Sequence, residues 1–192
     1  MSGILLGIDD RLWLMLSLVL TVAFHFLNRT PRLSVDRAVA PLRVPERTRG
    51  YSADQLIAFR LRALDTDTKA RQTALSIYRD KVLRIDIGFA VALGLFSALL
   101  WHWITPYLPS QPFLTGVSWI GWSASFLYLI FDVAEDIALI QLLSPDRAIG
   151  TGEASIASTF TVGKLVFIIG SLFGLVVFLV LAATDWMIER SS

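Results

Sequence analysis

Cysteine is absent from this 192-residue chain, which excludes disulfides, thiolate metal sites and cysteine nucleophiles. Histidine occurs only twice and lysine only three times. Charged residues make up 17% of the sequence against 55% hydrophobic ones, too few charges for a typical soluble domain. No phosphate-binding glycine loop, nucleophile elbow or zinc-protease motif occurs, and Gly150-Thr-Gly152 is too short for a nucleotide loop. No internal repeat is visible. These absences point away from an enzyme and leave cofactors open.

What the chain does have is long apolar runs. A membrane helix needs roughly 20 mostly apolar residues to cross a ~30 Å hydrocarbon core. Four segments meet that need: about Leu12 to Leu27, Ile87 to Thr105, Val117 to Leu143 and Phe160 to Thr184. Pro106 ends the second and Ser144-Pro145 the third. The first lacks a basic lead-in and a small-residue cleavage site, so it is expected to be a retained anchor. The expected fold is all-α, a four-helix transmembrane bundle with an amphipathic helical cytosolic segment between spans 1 and 2.

Tryptophan and arginine orient that bundle. Trp13, Trp101, Trp103, Trp119, Trp122 and Trp186 all fall on one side of four alternating spans, as an interfacial belt would. Thirteen of the seventeen Lys and Arg lie between Arg29 and Arg84, whereas Pro106 to Gly116 carries no charge. By the positive-inside rule the first connection is cytosolic and both termini are outside. The expected partition is 1–27 (outer segment and span 1), 28–85 (cytosolic linker and elbow), 86–106 (span 2), 107–116 (outer loop), 117–143 (span 3), 144–159 (cytosolic loop) and 160–192 (span 4 and outer tail). The excess of Arg over Lys hints at a GC-rich bacterial genome, and with it a bacterial inner membrane.

Within the basic connection, Pro31, Pro41, Pro45 and Gly50 predict an extended linker over residues 28 to 50. Ser52-Ala-Asp-Gln55 reads as a capping box opening a helix, and Asp65-Thr-Asp-Thr68 as the cap of a second helix that runs on into the second span. Such a basic amphipathic stretch either lies on anionic inner-leaflet lipid or packs on its own bundle. Nucleic acid is not an expected partner, because acids interrupt the basic residues and no nucleic-acid motif appears.

Charges at membrane depth are costly and need a partner or a function. Asp132, Glu135 and Asp136 in the third span share one helix side with Tyr128, Ser125 and Gly121, and Lys164 stands at matching depth in the fourth. Asp86 begins the second span and His25 nears the end of the first, so all six ionisable residues are expected in one inner layer. They can knit the helices together, hold a proton or cation, or serve a lipid-modifying centre. Three acids against one lysine leave negative charge over. His102 stands beside Trp101 and Trp103 at the other face, which disfavours a two-histidine metal site, and no metal-ligand motif is present. Gly170-Ser-Leu-Phe-Gly174, Gly163, Gly88 and Gly94 are candidates for close helix packing, within the chain or in a homo- or hetero-oligomer. The expected function is a non-enzymatic accessory or scaffold component of a membrane, associated with membrane partners or inner-leaflet lipid. The alternatives are a small proton- or cation-linked transport or sensing protein, and a lipid-modifying enzyme.

Overall fold

The first apolar run does not end where its hydrophobicity does. In the computed structural model of the chain, which describes residues 10–65, 72–107 and 112–191, helix α1 spans Asp10–Val39 and continues through Pro31. A proline inside a helix removes one backbone hydrogen bond and usually bends or stops it. The turns around this one are anchored. Asn28, Val35 and Val39 are buried, and Arg32 on the same side reaches Glu46 and Asp86. Residues 28–39 are therefore helical rather than an extended linker. The loop proper begins after Val39 and contains a short 3-10 turn, Pro45–Arg47.

Helix α2, Ala53–Asp65, opens on a reciprocal cap. The Ser52 N–H donates to Gln55 Oε1 (2.9 Å), and the Gln55 N–H donates to Ser52 Oγ (3.3 Å). The cap expected at 65–68 falls largely outside the described residues. Helix α3, Ala74–Ile77, is capped instead by Thr73, whose Oγ1 accepts from the Ser76 N–H at 3.2 Å. A π-helical turn over Tyr78–Val82 joins it to α4, Leu83–Ile104. A 3-10 turn follows at Thr105–Tyr107, and then come α5, Pro112–Leu142, and α6, Thr151–Ser191. The chain is all-helical, with no strand among the described residues.

Among the described residues three helical stretches are long and apolar enough to cross a membrane: Asp10–Val39, Ala74–Ile104 and Thr151–Leu181. Helix α5 is not one of them. It has no Asp, Glu, Lys or Arg from Pro112 to Phe131 and then carries three acids in five residues. The four long helices touch mainly as successive pairs and share a core at one end, where Val35 and Val39 of α1 join Leu83 of α4, Leu139 of α5 and Ala157 of α6. Helix α1 packs on α4, α4 on α5, and α5 on α6. Away from that core α4, α5 and α6 meet where Ser97, Ser125 and Ser171 hydrogen-bond to one another at 2.8–3.0 Å.

Trp101 seals that point and departs from the expected belt. It is 1% exposed, its indole N–H donates to Ser171 Oγ at 2.9 Å, and its ring meets Phe178 edge-on. An indole with its one donor satisfied inside the protein has no need of the interface. Trp13, Trp103, Trp119 and Trp122 are exposed. The side chain of Trp186, in α6, is outside those described. The end of α4 lies beside the starts of both α1 and α5. His102 and Asp10 stand 3.9 Å apart, and Thr105 Oγ1 pairs with Ser118 Oγ.

At the other end lies the shared core. There α2 buries Leu56, Phe59 and Ala63 among Val35, Leu75, Tyr78, Leu139 and Leu143. Arg60 of α2 donates to the carbonyls of Ser144 and Arg147, and Arg79 donates to that of Ile140 (3.2 Å). Two arginines thus neutralise the carbonyl-rich end of α5.

Small residues set how closely the helices approach one another. A Cβ on Gly163 would sit 2.3 Å from a Phe131 ring carbon, and one on Gly121 would sit 2.1 Å from the Trp101 indole. Gly88 abuts Phe24, Gly94 abuts Leu129 and Gly174 abuts Trp101 in the same way. Gly170 differs from the expectation, since nothing lies within 4 Å of its Cβ position. Gly170 and Gly174 stand one turn apart and border the same pocket, and only Gly174 lies against a core side chain. Gly163→Val is expected to destabilise the chain by about 1–3 kcal/mol through overpacking, whereas Gly170→Val is expected to be neutral. Thermal unfolding in dodecyl maltoside micelles, followed by circular dichroism, checks the pair.

Candidate functional site

Helical spacing puts Asp132, Glu135 and Asp136 on the side of α5 that faces α4 and α6. They are 4%, 0% and 0% exposed, and Lys164 of α6 is 8% exposed. Lys164 Nζ lies 2.5 Å from Asp132 Oδ1 and 2.6 Å from Glu135 Oε2. The outer oxygens of the same carboxylates are held too. The Tyr128 hydroxyl donates to Asp132 Oδ2 at 2.7 Å, and Thr161 Oγ1 donates to Glu135 Oε1 at 2.5 Å. This half of the site is closed, with one cation between two anions and a hydroxyl on each.

Asp136 is outside that lock. Neither of its carboxylate oxygens has a hydrogen-bond partner among the described residues. It instead faces two acids from other parts of the chain. One oxygen each of Glu46, Asp86 and Asp136 lies within 4.8 Å of the other two. Arg32 pairs with Glu46 and, at 3.1 Å, with Asp86 Oδ2. Asn28 Nδ2 donates to Asp86 Oδ1 (3.1 Å), and the Tyr78 hydroxyl donates to Glu46 Oε2 (2.8 Å). The Glu46 side chain is only 4% exposed although it sits in a loop turn. Tyr51, from the same loop, packs toward the two clusters. Burial, and next the negative charge of Glu135, push its phenol up from the ordinary value.

The six ionisable residues read from the sequence therefore divide. Asp132, Glu135 and Lys164 form one group, and Asp86 and Asp136 belong to a second with Glu46. His25 enters neither. It is exposed on α1 against Phe89 and lines a pocket beside Asp86. Glu46, Arg32 and Asn28 were not legible as site residues. In the sequence they belong to a proline-broken basic stretch, and it is α1, continuing past Pro31, and the 45–47 turn that bring them to α4. Thr161 and Tyr78 carry no charge signal.

The pocket beside Asp86 is about 300 Å³ and lies between α1 and α4. Phe24, Leu33 and Phe89 form its apolar part, and His25, Asn28, Arg29, Arg32 and Arg47 its polar part. Arg47 is paired with Asp36 at 2.7 Å and Arg32 with the acids, whereas Arg29 has no ion-pair partner among the described residues. Compared with known proteins, the chain matches no protein-family model, no curated protein and no solved structure.

Chemically the arrangement offers a buried ion lock, a carboxylate trio facing one guanidinium, and a basic pocket open at the side. Removing the cation from a buried lock strands the anions, so Lys164→Met is expected to lower stability by about 3–5 kcal/mol. Asp136→Asn is expected to raise stability in the presence of EDTA, because it removes a buried charge that no protein group compensates. Denaturant titration of the purified chain in mixed micelles measures both, and equal losses in the two variants would contradict the division.

Proposed function

We propose that this chain is a multi-pass membrane protein that performs no chemistry itself and serves as an accessory component holding an anionic lipid headgroup at its basic elbow. The four long helices cross the bilayer, α5 among them, with residues 40–82 on the cytosolic side and the ends of α1 and α6 outside. The outward surface of the helices supports the crossing. Leu12, Met15, Val19 and Phe26 of α1 and Val166, Ile169, Phe173 and Val180 of α6 are all exposed. A contiguous apolar surface of this extent is tolerated in lipid and not in water. The excess of Lys and Arg in the first connection supports the orientation.

The observation that carries the headgroup reading is the pocket between α1 and α4. Its Phe24, Leu33 and Phe89 side continues the apolar exterior, and its Arg29, Arg32 and Arg47 side converges at the point where α1 leaves the apolar belt. An acyl chain along the first wall and a phosphate against the second satisfy both. Guanidinium groups suit that role, since they grip phosphate oxygens in a planar fork. The packing of α2 on the core leaves this pocket, rather than α2 itself, as the lipid-facing basic surface.

The test is binding of a fluorescent short-chain phosphatidylglycerol to the purified chain in dodecyl maltoside, against the phosphatidylcholine analogue. The anionic lipid is expected to bind at least tenfold more tightly. Each interfacial arginine is worth about 1 kcal/mol, so Arg29→Gln with Arg47→Gln is expected to weaken binding roughly ten- to thirtyfold. Equal affinity for the two lipids, or no loss in the double variant, overturns the reading.

A further inference from the structure

We propose that Glu46, Asp86 and Asp136 form a binding site for one divalent cation of the Mg²⁺, Mn²⁺ or Ca²⁺ class. The three carboxylates come from the 45–47 turn, α4 and α5, and their nearest oxygens lie within 4.8 Å of one another. Two oxygens on opposite sides of a single such ion are separated by about 4–5 Å, so all three can reach one ion with little movement. The donor set is oxygen only, without thiolate or imidazole, which selects hard cations over zinc or copper.

Two further observations point to a cation site rather than to a salt-bridge network alone. Asp136 is 0% exposed, yet both its oxygens lack a partner although it faces the other two acids. Beside Asp86, Asn28 is 4% exposed and its Oδ1 also lacks a partner, so the hydrogen bonding around the trio is incomplete at a second residue. The charge count agrees. Lys164 is committed to Asp132 and Glu135, which leaves Arg32 as the one cation paired with the trio among the described residues. Three carboxylates against one guanidinium leave an excess of two negative charges, the charge of one divalent ion. Arg32 holds one oxygen of Glu46 and one of Asp86, while the Tyr78 hydroxyl holds the other oxygen of Glu46 and Asn28 the other of Asp86. Each carboxylate oxygen keeps a second lone pair for the ion, and such neighbours orient ligands as outer partners do in known metal sites.

The site also has a structural consequence. Glu46 belongs to the loop, Asp86 to α4 and Asp136 to α5, so an ion held by all three would tie the cytosolic turn to the buried ends of two helices. Its loading would be read in the position of the 40–52 loop and of the neighbouring basic pocket. The inference does not rest on the headgroup reading, because Arg29 and Arg47 contribute nothing to the trio.

The experiment is an electron paramagnetic resonance titration of Mn²⁺ into the full-length chain, purified in dodecyl maltoside and washed with EDTA. One Mn²⁺ per chain is expected, displaced by Mg²⁺ and Ca²⁺. Asp136→Asn and Glu46→Gln are each expected to weaken binding at least tenfold, while Arg29→Gln stays within twofold. Mn²⁺ is also expected to raise the thermal midpoint of the native chain and not that of Asp136→Asn, a readout that does not require the other variant to fold. Absence of saturable binding, equal affinity in Asp136→Asn, or a native midpoint that Mn²⁺ leaves unchanged would overturn the proposal.

Discussion

The ammonium of Lys164, 2.5 Å from Asp132 and 2.6 Å from Glu135, is the contact on which the rest of the arrangement depends. Helix α5 carries three carboxylates in five residues while its neighbours α4 and α6 are among the most apolar stretches of the chain. Two buried carboxylates without a cation would each cost several kcal/mol of desolvation. One lysine from α6, with the Tyr128 and Thr161 hydroxyls on the remaining lobes, satisfies both at once. It also fixes the relative height of α5 and α6, because a shift of one turn would part the charges. Gly163 against Phe131 then lets the two backbones close to that height, and Gly121 against Trp101 does the same between α5 and α4.

The lock leaves Asp136 over, and the fold responds from the loop rather than from another span. Helix α1 delivers Asn28 and, just beyond Pro31, Arg32 to Asp86, and the 45–47 turn brings in Glu46. The polar interior therefore has two characters. Toward α6 it is charge-balanced and closed, a structural device. Toward α1 it is acid-rich, incompletely hydrogen-bonded and next to a basic pocket of about 300 Å³. Where a chain of this size binds anything, the second region has the unpaired groups with which to do it.

Much of this order was legible in the sequence, for reasons that can be named. Ser52 and Gln55 announced their cap because a capping box is local, read within one turn. The stripe from Gly121 through Ser125, Tyr128 and Asp132 was visible because helical periodicity needs no knowledge of the partner. The height of Lys164 followed from counting along antiparallel spans. Legibility failed wherever the deciding contact was non-local. Trp101 shares its composition with the exposed tryptophans, and only Ser171, on a helix distant in sequence, draws it inside. Gly170 matched a packing motif, yet it borders an open pocket and no side chain lies within 4 Å of its Cβ position. Glu46 and Arg32 looked like solvated linker charges because Pro31 signalled an end to α1 that tertiary anchoring overrides.

The account stands on α5 lying across the bilayer with its acids compensated from within. Sidedness labelling tests this directly, since the chain contains no cysteine and any introduced one is its only thiol. Ser52→Cys, His102→Cys, Asp146→Cys and Thr184→Cys would be expressed singly in bacterial cells and treated with a membrane-impermeant maleimide. The account predicts reaction at 102 and 184 in intact cells, and at 52 and 146 only after permeabilisation. The same reactivity at all four positions, before and after permeabilisation, would contradict it.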